Sequence, residues 1–373
     1  MMGGNGPMMV KELKVDLGER SYPIYIGSGL LKEAGSFFRK HGIGDRSPVM
    51  LVTDGHVAPL YLGTAVSSLR EAGYKVVEAV VEPGEQSKSL AVLEQLVGRA
   101  LEGGLDRKST VIALGGGVVG DLAGVVAATY MRGVRFVQMP TTILAHDSSV
   151  GGKVAVNHPK AKNIIGAFHQ PEMVLYDTDT LKSLPQREVK AGLSEVIKHG
   201  LIWNRSFVDW CEANAERLLA LEPEPLAEAL YEGCRVKSIV VSKDEREGGL
   251  RAILNLGHTI GHALEAVAGY GELVHGEAIA IGMAGSARLA ARLGYSRSIP
   301  ESTERILKRF GLPVRIPAHL DTDAIMAAMM HDKKFKEGRM VFVVPTAIGA
   351  AEIRDDIPAE LVREIVEELK REE

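Results

Sequence analysis

Through the first half of the chain, short unbroken apolar runs alternate with amphipathic stretches. Residues 13–26 alternate around Gly18-Glu19-Arg20 and predict a β-hairpin. Residues 49–54, 76–81, 110–114, 134–139 and 173–176 are largely apolar, as strands buried on both faces are. Helical segments separate them: one reaching Ala72, one ending near Leu101, and an apolar one after residues 115–121. Such alternation predicts a parallel sheet covered on both faces. After Asp179 the texture changes. Residues 185–293 read as helix with Gly, Pro and short polar breaks, 341–345 as one short strand, and 359–370 as a charged amphipathic closing helix. The pattern therefore predicts an α/β domain over 1–183 and a mainly α-helical domain over 184–373.

Composition narrows the function classes. With 46% hydrophobic and 25% charged residues the chain is of ordinary globular type. A net charge of −4 and the lack of a basic tract give no nucleic-acid footprint. The longest apolar run, 118–128, is interrupted by Asp121 and Gly124, so no membrane span is expected. Cys211 and Cys234, without a secretory leader, imply reduced thiols and a cytoplasmic protein. The leading MMGGNGPMM is expected to be a loose terminus.

Residues 251–283 hold three of the eleven histidines among apolar and small neighbours. His258 and His262, four apart, would project from one helix face, and His275 opens a second helical run. One such histidine alone is most often a core residue. Three, with Glu265 and Glu277 close by, point to a metal site. Thr259 stands where an HExxH motif needs its glutamate, which disfavours a zincin protease and leaves a further ligand to come from elsewhere. Glu195 and Lys198 would form an i,i+3 ion pair, or Glu195 would complete a Glu/His/His zinc site.

Residues 115–121 follow a strand and open a helix, which would bring backbone N–H groups to a pyrophosphate. The run is GGGxxGD, not GxGxxG, and a tight strand–helix turn explains it equally well. Asp54, Glu85 and Lys88 would grip ribose and phosphate, or be solvated loop charges. Residues 140–163 read as a long polar connection in which Lys153, Lys162 and Asn163 would bind anions and Asp147 act as acid or base. A charge run from Lys237 through Lys243–Glu247 to Arg251 leads into the histidines.

Taken in order, PGEQSK (83–88), GGGVVGD (115–121), YMRG (130–133), PTT (140–142), DSSVGGK (147–153), KNIIGAFHQP (162–171), AGLSEVIKHG (191–200), DEREGGLRAILNLGHTIGHALE (244–265) and HGEAIAIGM (275–283) resemble the 3-dehydroquinate synthase family. The likeness spans roughly residues 10–350. It departs in one place, where His146 alone separates PTTILA from DSS and the usual pattern has one more residue.

The resemblance implies a Rossmann-like NAD-binding domain, a helical domain and a Zn²⁺ or Co²⁺ ion. It implies Glu195, His258 and His275 as metal ligands, with His262 beside the substrate in proton transfer or phosphate contact. The cofactor residues it implies are Asp54, the loop Pro83, Gly84, Glu85, Gln86, Ser87 and Lys88, then Gly117, Val118, Val119, Gly120 and Asp121. Thr141, Thr142, Thr180, Leu181, Lys182 and Ser183 complete them, with Lys153 and Lys162 in the NAD and substrate region. Substrate contacts would come from Asp147, Asn163, Lys198, Lys237, Arg251, Asn255 and one of Lys333 or Lys334. Arg132 would reach the phosphate across a homodimer interface.

The implied reaction converts 3-deoxy-D-arabino-heptulosonate 7-phosphate to 3-dehydroquinate and phosphate, in the shikimate pathway to aromatic amino acids. Its steps are transient NAD-dependent oxidation, phosphate elimination, re-reduction and intramolecular aldol closure. Alternatives are an inosose or valiolone synthase and a metal-dependent alcohol or glycerol dehydrogenase. Arg251 with Asn255 favours a substrate bearing a carboxylate, and NHPKAKN and DEREGGLR are segments such a dehydrogenase does not need.

Overall fold

The computed structural model describes residues 10–246, 248–269, 271–330 and 340–371. The leading MMGGNGPMM stretch, Glu247, Lys333 and Lys334 lie outside the described residues. The chain divides into two compact units. One ends at Leu184 and takes in Leu226–Ser242, and the other holds Pro185–Pro225 and the chain from Lys243. One division thus falls between Leu184 and Pro185, but a stretch of helix beyond it goes back to the first unit. An amphipathic helix carries no sequence signal of which neighbour it covers.

The first unit contains β1 (Lys11–Val15), β2 (Tyr22–Gly27), β3 (Val49–Asp54), β4 (Val76–Val81), β5 (Thr110–Gly115), β6 (Arg135–Pro140), β7 (Lys153–His158), β8 (Ala161–Phe168) and β9 (Met173–Asp177). Among the described residues a seven-stranded sheet runs in the order β1-β2-β9-β6-β5-β3-β4. All neighbours pair parallel except β1, which forms the expected hairpin with β2 through a turn at Gly18–Arg20. Alternate residues feed opposite faces. Met50, Val52, Val111, Ala113 and Phe136 pack on one side with the helix Gly117–Thr129. Leu51, Ile112, Leu114, Val137 and Leu175 pack on the other with Phe38 and Leu69. The chain places β4 on one side of β3 and then β5 on the other, so the winding reverses between β3 and β5. Ligands of open α/β sheets bind at the carboxyl ends of strands at such a point.

Two expectations are corrected here. The apolar helix does not wait until after residue 121: Gly115 ends β5 and Gly117 already begins the helix. Residues 140–163 are not an irregular connection. They hold a short helix, Ala145–Ser148, and the antiparallel hairpin of β7 with the start of β8. The strand β8 was hidden because most of its side chains are exposed and Gly166 interrupts it. The hairpin lies against the helix at Gly124, where a Cβ would stand 2.2 Å from Val154 Cγ1.

The second unit is mostly helical, as expected. Its helix His275–Arg292 packs against both Gln186–Trp203 and His258–Ala268. Small residues allow the approach. A Cβ on Gly276 would meet the Ala191 carbonyl oxygen at 2.1 Å, and one on Gly282 the Gly257 oxygen at 1.9 Å. The closing helix Ala359–Lys370 is present. The expected strand near 341–345 is β10 (Phe342–Ala347), and it pairs with an unexpected β11 (Ala350–Arg354), too short and too polar to signal itself. Among the described residues no helix is long and apolar enough to cross a membrane.

Candidate metal centre and nucleotide cradle

Three tightly packed helices of the second unit fix the candidate metal centre. Glu195 lies on Gln186–Trp203 with its side chain 1% exposed. His258 opens its helix directly after Gly257, whose φ of 79° turns the chain into it. His275 opens the next helix. The Nε2 atoms of His275 and His258 stand 3.2 and 3.7 Å from Glu195 Oε1. One ligand atom from each of the three residues lies within 4.8 Å of the others. Each histidine also has an oxygen at Nδ1: the Leu256 carbonyl at 3.1 Å for His258 and Glu265 Oε2 at 3.1 Å for His275. A carboxylate and two imidazoles converging through their outward nitrogens match the donor set of a catalytic divalent cation.

The electrostatics agree. Burial alone would lower the pKa of His275, but hydrogen bonds and charge from Glu195 and Glu265 outweigh it and push it up to about 10. The site favours positive charge. Lys198 contacts the other oxygen of Glu195, with both side chains 1% exposed, so the i,i+3 pair is present as well. His262 does not join His258 in one ligand group; it groups instead with Glu265 and His275. Its ring lies 5.1 Å from that of His258 and 5.9 Å from that of His275.

Upstream, the charge run is no plain solvated face. Asp244 accepts from the backbone N–H groups of Gly248, Gly249 and Arg251 at 2.6, 2.8 and 2.9 Å, which holds its carboxyl below the usual range. Arg251 is thereby drawn inward to 2% exposure, and its guanidinium donates to the Glu245 carbonyl. Asn255 ends the short 3-10 helix that follows.

In the first unit, the expected cofactor residues follow the carboxyl ends of parallel strands. Asp54 ends β3, and its Oδ1 accepts from the N–H groups of His56 and Val57 at 2.8 and 2.9 Å. The 83–88 loop follows β4, Gly117–Asp121 follows β5, and Thr141 and Thr142 follow β6. Thr180, Leu181, Lys182 and Ser183 lie in a 3-10 helix after β9, tied to Tyr61 through Thr180 O and Ser183 Oγ at 3.1 and 2.7 Å. Lys88 is 5% exposed, and its Nζ bonds Asp121 Oδ2 at 2.8 Å and Asn163 Oδ1 at 2.6 Å. Burial raises the Asp121 pKa and the Lys88 charge only partly offsets it. Lys153 and Lys162 are exposed on β7 and β8.

Asp147 is held from a distant segment of the same unit. Lys237 Nζ lies 3.1 Å from Asp147 Oδ1 and also donates to its carbonyl. Buried His146 fills the shortened turn, with Nδ1 2.7 Å from the Ile143 carbonyl, and Cys234 Sγ donates to the His146 carbonyl at 3.6 Å. Arg132 is exposed on a strained turn, where Met131 and Arg132 take φ values of 48° and 68°.

Three participants were missed from sequence. Asn157 donates to Glu85 at 2.7 Å and accepts from the Asn163 N–H at 2.8 Å, joining the 83–88 loop to the hairpin. Its signal was present in NHPKAKN, in which only the later lysine and asparagine stood out. Glu265 stood in view as a nearby carboxylate without a role. Arg187 clamps Glu277 through Nε at 2.8 Å and Nη2 at 2.6 Å, fixing the turn ahead of His275, and no local pattern marks it.

With this geometry in hand, the comparisons with known proteins are specific. The sequence models "3-dehydroquinate synthase N-terminal" and "3-dehydroquinate synthase C-terminal" match residues 78–191 and 192–335. A 3-dehydroquinate synthase of Desulforamulus reducens is 52% identical over 347 residues, 92% of this chain and 96% of the relative. The chain belongs to the 3-dehydroquinate synthase family. Among solved structures, a 2-deoxy-scyllo-inosose synthase with carbaglucose-6-phosphate, NAD⁺ and Co²⁺ aligns with a TM-score of 0.88 at 27% identity, over 96% of this chain and 100% of that one. The 2-epi-5-epi-valiolone synthase of Streptomyces hygroscopicus, with NAD⁺ and Zn²⁺, aligns with a TM-score of 0.84 at 26% identity, over 95% and 98%.

Proposed function

We propose that this chain performs its family's reaction, closing 3-deoxy-D-arabino-heptulosonate 7-phosphate to 3-dehydroquinate with loss of phosphate. One carbinol carbon is oxidised and reduced again within the turnover, phosphate is eliminated in between, and an intramolecular aldol addition forms the ring. The convergence of Glu195, His258 and His275, in a chain 52% identical to a synthase, carries this reading. When bound, NAD⁺ supplies a hydride acceptor and a zinc or cobalt ion supplies a Lewis acid for a substrate hydroxyl.

Glu195, His258 and His275 would hold the metal, with both imidazoles offering Nε2. Lys198 holds a positive charge against Glu195 and would stabilise developing oxyanion character. Asp147 and His262 are the proton-transfer groups. Lys153, Asn163, Lys237, Arg251 and Asn255 would orient the substrate's carboxylate and phosphate, so catalysis is largely positioning and charge stabilisation. The cofactor would lie along Asp54, the 83–88 loop with Lys162 beyond it, Gly117–Asp121, Thr141, Thr142 and residues 180–183. Support comes from their shared position after parallel strands around the β3/β5 reversal. Exposed Arg132 would reach the phosphate of a second copy in a homodimer. Cys211 and Cys234, both buried and not joined in a disulfide, suit a reducing cytoplasm.

The related cyclases stand at 27% and 26% identity, well below the synthase relative. Phosphate release from heptulosonate 7-phosphate, glucose 6-phosphate and sedoheptulose 7-phosphate, with substoichiometric NAD⁺, tests the proposal. We expect many turnovers with the first sugar alone and no build-up of NADH. Preference for either other sugar, or stoichiometric NADH, overturns it.

A further inference from the structure

His275 lies between two carboxylates, one at each ring nitrogen. Glu195 Oε1 is 3.2 Å from Nε2, and Glu265 Oε2 is 3.1 Å from Nδ1. Glu265 stands seven residues after His258 on one helix, two turns on and on the same face. A neutral imidazole carries a single N–H, and a carboxylate only accepts. When a cation occupies the Nε2 side, the ring keeps one N–H, and the Glu265 carboxylate would hold it on Nδ1 and leave the Nε2 lone pair for the ion. The other carboxylate near His275, Glu277, is engaged elsewhere: Arg187 grips both its oxygens and the Val274 N–H donates to one of them.

We infer that Glu265 is a positioning residue of the metal centre, fixing the tautomer and ring plane of His275 and strengthening Nε2 as a donor without binding the ion itself. The inference rests on Glu195, His258 and His275 being the ligands. The rival geometry groups Glu265 with His262 and His275 and would make Glu265 a ligand. It requires the carboxylate oxygen to give up the Nδ1–H it now accepts. His258 shows the same device with a weaker partner, since the neutral Leu256 carbonyl takes the place at Nδ1.

The test is a set of zinc dissociation constants, measured by chelator competition on the full metal-stripped chain, with Co²⁺ absorption spectra alongside. The proteins are the parent, Glu265→Ala, Glu265→Gln and, as reference, Glu195→Ala. Loss of an outer-shell partner of a ligating histidine weakens metal affinity by ~10–100-fold, and that is the expectation for Glu265→Ala. Glu265→Gln still offers a carbonyl to Nδ1–H, so its affinity should fall between alanine and parent, with the Co²⁺ bands kept but shifted. Metal-free circular dichroism spectra of both variants should match the parent's, which separates positioning from loss of the fold. Parent-like affinity in Glu265→Ala overturns the inference. So does a loss as deep as that of Glu195→Ala, because Glu265 would then be a ligand. Parent-like affinity in Glu195→Ala would instead remove the ligand assignment beneath it.

Discussion

Gly276 and Ala191 touch backbone to backbone, so that a Cβ on Gly276 would stand 2.1 Å from the Ala191 carbonyl oxygen. Ala191 is one turn before Glu195 on its helix, and Gly276 follows His275 directly. The distance between those two helices therefore sets the distance between two candidate ligands. Gly276→Ala must push them apart. Overpacking of this kind costs roughly 1–3 kcal/mol, read as a lower denaturant midpoint, and metal affinity should fall with it. Loss of stability with unchanged metal affinity would show that the centre does not depend on this contact.

Lys88 is the cation on which the Asp121 carboxylate depends. Lys88→Met leaves that group without its ion partner and should cost on the order of 3 kcal/mol, with weaker NAD⁺ binding. Asp121→Asn added to Lys88→Met should recover part of the stability, because the more buried of the two carboxylates facing Lys88 is then neutral. A double-mutant cycle measures the coupling, and strictly additive losses would deny it.

The Arg187–Glu277 clamp gives a pH signature. The Arg187 hydrogen bonds hold the Glu277 carboxyl below its usual range, against the effect of burial. A depressed carboxyl stabilises the fold above its unfolded pKa, about 4.3, and the contribution is lost as pH falls through the lower folded value. The stability difference between the parent and Glu277→Gln should therefore be largest at neutral pH and shrink on acidification. Urea midpoints at pH 7, 5, 4 and 3.5 measure it, and a constant difference would be inconsistent with the clamp.

Arg132 takes a left-handed φ of 68° beside Met131 at 48°, a conformation that glycine adopts more readily. Arg132→Gly should leave thermal stability equal to the parent's or higher, while phosphate release collapses. Strain that persists at a functional turn is kept for the side chain it presents. A variant that loses stability and activity together would mean that Arg132 also supports the fold.

Much of this architecture is legible in sequence. The strands β3, β5, β6 and β9 announce themselves because a strand buried on both faces must be largely apolar, while β4, at the sheet edge, shows through its valines. Residues 359–370 carry a clear amphipathic period. The hairpin of β7 and β8 did not, since its outward residues Lys162, Asn163 and Ile164 break any alternation. At the candidate centre, local spacing paired His258 with His262, whereas the packing at Gly276 and Gly282 brings His258 toward Glu195 and His275. Contacts between helices distant in sequence leave no periodic trace. The residues alone offered Glu195 with two of the histidines, only the motif resemblance chose His258 and His275, and neither route assigned a task to Glu265 or Asn157.

The return of Leu226–Ser242 to the first unit bears on how such a chain is made and how it could be recombined. All strands of the large sheet are synthesised by Asp177, yet Lys237, which secures the Asp147 turn, emerges 60 residues later. On the ribosome the sheet would condense early and its Asp147 turn would be secured only once much of the helical part exists. A single genetic crossover near residue 184 would move the sheet without that lysine. The path of the backbone alone thus favours inheriting the two units together.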